Sequence, residues 1–343
     1  MSNTRTYEEL KQRLDAMADE MHGRKSKPNA AAKKQIAAYN SAFWDTMHTG
    51  MPNNELKVGS DGAGGYLVPD TYDNRLVMAL EEENVLRKLG TTFQTTHKLH
   101  IPVSEGIDGA VWIKEGESYS FGEATFREVV IDAHKLGTSI LASDEMLEDG
   151  GVDLEEFIET MFSERIGSAE EEAFVHGDGN HKPLGIIYQA EVGAETEKEG
   201  VISMDDMINL QHSVPRVYRE KAVWVISEDA YYNLRRIVQH NGKPLWNNNL
   251  QEGEPQKLFG HEIYVCKNMD KVLPGKIPVM FGDFSYFWIG ERGKRVMKRL
   301  VERYADRGQV AFIMSERIDA KLVLSEAVKL LKVSGTPVET IED

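Results

Sequence analysis

Apolar side chains recur every three or four residues in two stretches near the start of the chain, residues 7–21 and 28–47. This spacing places them along one side of a helix. A break containing Gly23 and Pro28 separates the two predicted helices, and a loop rich in glycine, asparagine, aspartate and proline follows over residues 49–63. The pattern predicts an appended N-terminal module, either a helical hairpin or a partner-binding arm.

The longest helical pattern begins after Asp153, which forms a capping-box pattern with Glu156. Apolar residues then recur over about six turns. They are Leu154, Phe157, Ile158, Met161, Phe162, Ile166 and Ala169. Eight acidic residues and one base lie between Asp153 and Glu172, so the outer face of this helix is predicted to be strongly negative.

Polar and apolar residues alternate in other parts of the chain, which is the pattern of half-buried strands. Runs at 98–103, 110–113 and 125–131, with a polar loop at 115–123, predict a long hairpin. Because this hairpin has few residues for a core of its own, we expect it to rest on a neighbouring molecule. Further strands are predicted at residues 222–226, 262–266, 279–284 and 310–324, between short helices.

Composition and charge exclude several classes of protein. The chain has 343 residues, 41% of them hydrophobic, which is enough for one large or two ordinary domains. It has neither the apolar run of a membrane helix nor a signal peptide at its start, so we expect it to fold in the cytoplasm. The net charge of −16 argues against a protein that wraps nucleic acid. Cys266 is the single cysteine, which excludes an intrachain disulfide, and its place in a strand predicts a buried side chain.

Candidate catalytic and metal-binding residues are few. His176, Asp178 and His181 are metal-ligand types at close spacing, but a polar turn after the helix is the favoured interpretation. The glycine-rich stretch at 59–65 lacks the Gly-Lys-Ser/Thr ending of a phosphate loop and is interpreted as a flexible arm. His134 could act as a base, but no serine lies in a G-x-S-x-G elbow. We therefore expect no enzymatic activity, no cofactor and no metal.

Five short motifs occur in an order that resembles one known family. They are Gly64–Pro69 (GGYLVP), Trp112–Gly116 (WIKEG), Gly177–Asn180 with Pro183–Gly185 (GDGN and PLG), Leu258–Ile263 (LFGHEI) and Gly282–Phe284 (GDF). In this order they resemble the major capsid proteins of tailed double-stranded DNA bacteriophages, which have the Hong Kong 97-type coat fold. Glu262 stands where that family usually has proline.

The resemblance implies an α+β fold with a peripheral domain (a long spine helix and a long β-sheet), an axial domain, an extended β-hairpin loop and an N-terminal arm. Mapped onto this sequence, it predicts six segments. They are a helical module that is scaffold-like or an arm (1–58), the N-arm and first helix (59–90), the extended hairpin loop (91–137), the peripheral domain with the spine helix (138–185), the axial domain (186–299) and the C-terminal strands of the peripheral domain (300–343).

The same resemblance implies a coat function in a phage or prophage. Copies of the chain would assemble in the host bacterial cytoplasm into hexamers and pentamers of an icosahedral shell, and would end in the virion. Portal and scaffold proteins, a decoration protein and packaged DNA bound without sequence specificity are the implied partners, and no membrane is. The alternative is an encapsulin-like nanocompartment shell, which shares the fold but encloses a protein cargo. A soluble α+β hydrolase is an alternative from another class.

Contacts between subunits are expected in the arm, the hairpin and a basic segment. The predicted contact residues are Gly65, Tyr66, Trp112, Lys114, Glu115, Arg295 and Arg299. The basic segment, residues 292–307, holds seven bases against two acids, and a third acid, Glu291, comes directly before it. It could contact packaged DNA, pair with the acidic helix of another subunit, or form a solvated strand face.

Some members of that family join subunits covalently through an isopeptide bond between a lysine on the extended loop and an asparagine, aided by a glutamate. Lys114 could supply the amine in this chain. Gly308 and Ser315 stand where the asparagine and glutamate are expected. We therefore predict no autocatalytic cross-link.

Overall fold

A computed structural model describes residues 30–51, 56, 66–105, 125–148, 153–237 and 256–335. The described helices are α1 (Ala30–Thr49), α2 (Asp70–Glu83), α3 (Val85–Leu89), α4 (Asp144–Glu148), α5 (Leu154–His176), α6 (Met204–Ser213), α7 (Arg216–Arg219) and α8 (Glu228–Arg235). Short 3₁₀ turns lie at Ile186–Tyr188, Phe284–Tyr286, Glu302–Arg307 and Ser325–Ala327.

The strands form two six-stranded sheets and one hairpin. They are β1 (Tyr66–Leu67), β2 (Thr91–Thr95), β3 (Leu99–Glu105), β4 (Thr125–Ile131), β5 (His134–Ser143), β6 (Glu191–Glu195), β7 (Val223–Ile226), β8 (Lys257–Leu258), β9 (His261–Val265), β10 (Val279–Gly282), β11 (Phe287–Arg292), β12 (Val296–Leu300), β13 (Gln309–Leu322) and β14 (Val328–Lys332). The predicted strands at 98–103, 125–131, 222–226, 262–266, 279–284 and 310–324 are confirmed within one or two residues at most ends.

The first sheet is organised around the fourteen-residue strand β13. Its order is β1-β12-β13-β11-β2, and β5 pairs along β13 as well. The β5 pairing runs antiparallel from Gln309 opposite Ser143 to Ile318 opposite His134. One strand thus connects elements that lie far apart in the chain.

The second sheet has the order β6-β14-β10-β7-β9-β8. Its central strand β10 is buried at all four positions, and it pairs antiparallel with both β7 and β14. A continuous apolar run is the composition expected of a strand covered on both faces. Ser203 and Ser227 cap the helices α6 and α8 that accompany this sheet, through their side-chain oxygens.

Helix α1 confirms the second N-terminal helix, but it is not an appended module. Phe43 and Met47 are fully buried in the core that the first sheet shares with α2 and α5. Tyr39 Oη donates to the carbonyl of Leu67 at 2.9 Å, and the Trp44 ring meets Tyr72 edge to face at 5.1 Å. The apolar stripe of α1 therefore covers its own subunit. The predicted helix at 7–21 lies outside the described residues.

The base of the β3–β4 hairpin also packs on its own subunit, contrary to the expectation that the hairpin lacks a core contact. Ile101, Val103, Val129 and Ile131 are buried in the core shared with the second sheet. A Cβ at Gly290 would lie 2.8 Å from Ile131 Cγ2, so glycine permits this close approach of the hairpin to β11. The hairpin's outer part, residues 106–124, lies outside the described residues.

The long helix α5 confirms the helix predicted after Asp153, whose carboxylate accepts from the backbone N–H groups of Glu155 and Glu156 at 2.9 and 3.3 Å. The prediction that all eight acids contribute to a strongly negative outer face is wrong in part. Glu170 and Glu171 point inward and are 1% and 2% exposed. The sequence pattern predicted exposed side chains for both glutamates. It could not show their burial, because the groups that neutralise or bind them come from distant segments.

The division into peripheral and axial domains stays a prediction, and three strands do not follow its boundaries. Strands β11 and β12 fall in the segment 186–299 but pair in the first sheet, while β14 falls in 300–343 and pairs in the second. The chain therefore passes between the sheets more often than the sequence division implies. Cys266 is buried, as predicted.

Candidate functional site

A network of buried ions lies where α2, α3, α5 and the first sheet meet. Arg87 on α3 is 1% exposed, and its Nη1 donates to both carboxyl oxygens of Glu170 at 3.0 Å. Its Nη2 pairs with Glu291 on β11. A guanidinium that is held by two carboxyl groups joins the long helix to the sheet through hydrogen bonds that water does not screen.

Arg295 holds the other half of this network. Its Nε donates to Glu316 on β13 at 2.7 Å, its Nη2 to Glu291 at 2.8 Å, and its Nη1 to Asp73 on α2 at 2.8 Å. Three carboxyl groups from three different elements therefore surround one guanidinium. We call these six residues, Arg87, Asp73, Glu170, Glu291, Arg295 and Glu316, the ion network.

Local structure fixes Arg87 in this position. The side chain of Asn84, which is fully buried, accepts from the Arg87 backbone N–H at 3.0 Å and caps α3. Glu171 accepts from the Val85 N–H at 2.8 Å and from Asn268 Nδ2 at 3.0 Å. The short helix is thus capped by its own Asn84, and it is attached to α5 by the Val85–Glu171 hydrogen bond and the Arg87–Glu170 ion pair.

The ion pairs control the protonation of the network. Burial by itself would raise the pKa of Glu291, but Arg295 and Arg87 outweigh it, and the pKa is lowered. Burial by itself would lower the pKa of Arg295, but Glu316, Glu291 and Asp73 raise it well above its usual range. Glu291 and Arg295 are therefore charged across the physiological pH range.

The structure corrects the prediction for Arg295. Its side chain is 4% exposed, and its three nitrogen atoms donate to carboxylates of the same chain. Arg295 is therefore not available as a contact to another subunit. A basic residue in an alternating strand pattern indicates a solvated face, and the pattern does not show that β11, β13 and α2 bring three acids to it.

Arg299 and Tyr66 lie in β12 and β1, two neighbouring strands of the first sheet. Arg299 Nη2 donates to the carbonyl of His48 at 3.4 Å, at the C-terminal end of α1, where a cation is favourable. Burial lowers the pKa of Arg299, and Asp144 opposes that effect. Tyr66 is half-buried in β1, opposite Met297. Their contacts to neighbouring subunits stay predictions.

The other predicted contact residues, Gly65, Trp112, Lys114 and Glu115, lie outside the described residues. Within the basic segment, several side chains pair inside the subunit. Arg292 Nη1 lies 3.2 Å from Asp132, and Lys294 Nζ lies 2.6 Å from Asp70. Much of this segment is therefore occupied by acids of its own chain.

The turn after α5 has internal polar contacts. His176 Nε2 donates to the carbonyl of Asn268 at 2.8 Å, and Asp178 accepts from the Asn180 N–H at 2.9 Å. Among the residues that the structure describes, no group of three His, Cys, Asp or Glu side chains could hold a metal ion. Nor does any described helix have the length and apolar character to cross a membrane.

Sequence reasoning did not single out Arg87 or Glu170. One signal was present for each. Arg87 interrupts the apolar run Val85–Leu89, and Glu170 lies one turn after Ile166, on the apolar side of its helix. A charged residue on the buried side of a helix is informative because it must find a partner.

The comparison with protein families decides the identity. The model of the phage capsid family matches residues 64–333. The chain belongs to this family. The match includes both sheets, the hairpin and the whole ion network, so the described fold is the family's fold.

One curated capsid protein is similar to this chain over most of the chain's length. A major capsid protein of Escherichia phage T5 is 22% identical over 284 residues, which is 77% of this chain and 60% of that protein. The chain therefore spans about 60% of the length of this curated relative.

Solved structures show the same fold. A chain from the capsid of a native GTA particle has a TM-score of 0.65 and 22% identity, over 84% of this chain and 97% of that one. A chain from Mycobacterium phage Bobi has a TM-score of 0.55 and 18% identity, over 74% of this chain and 91% of the phage chain. The α+β fold is thus the Hong Kong 97-type coat fold, as the sequence motifs implied.

Removing the Arg295 charge should destabilise the subunit strongly. Arg295→Met leaves three carboxylates without their common partner, and we expect a loss of about 3–5 kcal/mol in the free energy of unfolding. Denaturant unfolding of the full chain measures this loss.

Lys294→Met is the matched control, because it removes the neighbouring cation, whose partner Asp70 is exposed. We expect a change of about 0–1 kcal/mol for this surface pair. Equal effects of the two substitutions would contradict the assignment of Arg295 to a buried network.

Proposed function

We propose that this capsid-family chain is the major capsid protein of a tailed double-stranded DNA bacteriophage or prophage. Copies of it assemble into the hexamers and pentamers of an icosahedral shell that encloses the genome. The observation that carries the proposal is the family match over residues 64–333, which contains both sheets, one whole core and most of the other. The name of the similar T5 protein and the likeness to capsid structures support it.

The role is structural, without catalysis or cofactor. A shell subunit needs a fixed shape, because errors in the angle between neighbours accumulate around a closed surface. The ion network supports such a shape, since it fastens α2, α3 and α5 to the first sheet inside one subunit. Many weak contacts made at once then hold the subunits in the shell.

Contacts between subunits are proposed for the parts that extend from this rigid body. These parts are the N-terminal arm at 59–68 and the hairpin around Trp112, which reach across to neighbours. The end of the arm, Tyr66–Val68, is held in the subunit's own first sheet, so the contact is proposed for residues 59–65. The described base of the hairpin is fastened to its own subunit, as Ile101, Val129 and Ile131 are buried there. This fixed base supports the proposal that the outer hairpin contacts one particular neighbour.

The net charge is compatible with this cargo. With a net charge of −16, the subunit repels packaged DNA and does not bind it tightly to the wall. Portal and scaffold proteins, and a decoration protein, are the remaining proposed partners, and the host cytoplasm is the proposed place of assembly. The nanocompartment alternative is less favoured, because the family and the similar protein are both named for phage capsids.

Assembly of the chain expressed alone tests this proposal. We expect closed shells or regular tubes in negative-stain electron microscopy after size-exclusion chromatography. Trp112→Ala should abolish or greatly reduce them, because an aromatic side chain at the end of the hairpin is a preferred anchor in a protein interface. Thermal unfolding of the variant serves as the control and should match that of the unchanged chain.

Small uniform oligomers that also fail to assemble with a scaffold protein would contradict the coat function. Shells of small diameter that contain host protein and no DNA would favour the nanocompartment. Unimpaired assembly of the Trp112→Ala variant would contradict only the proposed hairpin contact.

Assembled particles should contain no covalent bond between subunits. Gly308 and Ser315 lack the side chains that the isopeptide reaction needs, and Gly308 has a left-handed φ of 59°, which favours glycine. A denaturing gel of mature particles should therefore show a single band at 38.7 kDa. A ladder of multiples of that mass would show that the prediction is wrong.

A further inference from the structure

The charges of the ion network do not balance. Five of its side chains are more than nine-tenths buried: Arg87, Glu170, Glu291, Arg295 and Glu316. Two of these are cations and three are acids. Asp73, the sixth member, is about a quarter exposed, so water screens its charge. With all three buried carboxyl groups ionised, an uncompensated negative charge would lie in the interior, which is strongly unfavourable.

One oxygen atom shows where the imbalance lies. Glu316 Oε2 accepts from Arg295 at 2.7 Å, whereas Oε1 is buried and has no hydrogen-bond donor among the described residues. The carboxyl groups of Glu170 and Glu316 are both more than nine-tenths buried, and Glu316 is the acidic neighbour that raises the pKa of Glu170. Two carboxylates cannot donate to each other, but a carboxylic acid donates to a carboxylate. Two carboxyl groups in contact therefore retain one proton between them.

We propose that Glu170 and Glu316 form a buried proton-binding site, in which one shared proton joins the long helix α5 to the central strand β13. The proton satisfies Glu316 Oε1 and leaves two cations facing two buried anions. The inference concerns the subunit itself and does not depend on the proposed coat function.

Burial and several nearby charged groups act on the protonation of Glu170. Burial raises the pKa of Glu170 well above its usual range, Arg87 and Arg295 oppose this, and Glu316 raises it further. Glu170 also lines a cleft of about 210 Å³, which brings further charged and titratable groups near it. These are His134 and Lys135 on β5, Glu172 on α5, and His181 and Lys182 in the turn that follows.

The sign of the pH dependence follows from the direction of the shift. A glutamate in the unfolded chain loses its proton near pH 4.3, at about its usual pKa, whereas the folded chain retains it to higher pH. The folded state therefore binds more protons than the unfolded state in this window. Its stability falls as the pH rises from about 4.3 through the raised pKa of Glu170.

Thermal unfolding of the full chain between about pH 5 and pH 8 tests the proposal. Glu170→Gln keeps the size of the side chain and supplies an N–H that donates to Glu316 without titrating. We expect the melting temperature of the unchanged chain to fall over this range, and that of Glu170→Gln to fall less and to be the higher of the two at pH 8. Because the histidines of the cleft are present in both proteins, the comparison removes their contribution.

Glu172→Gln is the matched control, since it removes an exposed carboxylate two residues along the same helix. Its melting temperature should follow that of the unchanged chain at every pH. If Glu170→Gln had the same pH dependence as the unchanged chain, or were less stable at every pH, Glu170 would be an ionised partner of Arg87 and the proposal would be wrong.

Infrared spectra of the full chain provide a second test that does not need a variant. A carboxylic acid has a carbonyl stretch distinct from that of a carboxylate, and we expect one such band at neutral pH. Either Glu170→Gln or Glu316→Gln should remove it, because the second carboxyl group that shares the proton is then missing. Absence of the band in the unchanged chain at pH 7 would overturn the proposal even if neither variant folded.

Discussion

The placement of charge inside the subunit constrains the rest of this structure. Arg87 and Arg295 are almost without solvent contact, and each must be held by carboxylates from other segments. That requirement brings α2, α3, α5, β11 and β13 to one point. A buried ion network is a weak source of net stability compared with apolar packing, but removing one partner is costly. It therefore favours one arrangement of helices on the sheet over other compact arrangements.

The subunit has two hydrophobic cores, and they contain different elements. The first sheet buries α1, α2 and the start of α5, whereas the second sheet buries its own helices and the base of the β3–β4 hairpin. Strands β11, β12 and β13 of the first sheet lie in the chain between β10 and β14 of the second, so neither sheet is made from one continuous segment. A subunit built in this way can keep its shape while its peripheral parts contact neighbours, as a member of the capsid family requires.

Local patterns predicted much of this fold, because they depend on neighbouring residues. The repeat after Asp153 determined α5, and the serines at 203 and 227 marked the starts of two helices. The sequence could not show which strand pairs with which. It therefore missed that β14 joins the second sheet, and that α1 is part of the subunit core.

The candidate site was less predictable for the same reason. Arg295 was expected at a subunit interface because its neighbours in sequence are basic, whereas its partners Asp73 and Glu316 are distant in the chain. Glu170 was counted with the exposed acids, although its position one turn after Ile166 placed it toward the interior. Burial of a charge depends on a partner, and the partner is determined by tertiary structure.

A reconstruction by electron cryomicroscopy of particles assembled from the full chain tests the central claim most directly. The account predicts closed shells in which each subunit retains Arg87 and Arg295 inside its own fold, while residues 106–124 lie over the adjacent subunit. Shells whose subunits exchange these ion pairs with neighbours, or in which residues 106–124 fold back on their own subunit, would contradict it.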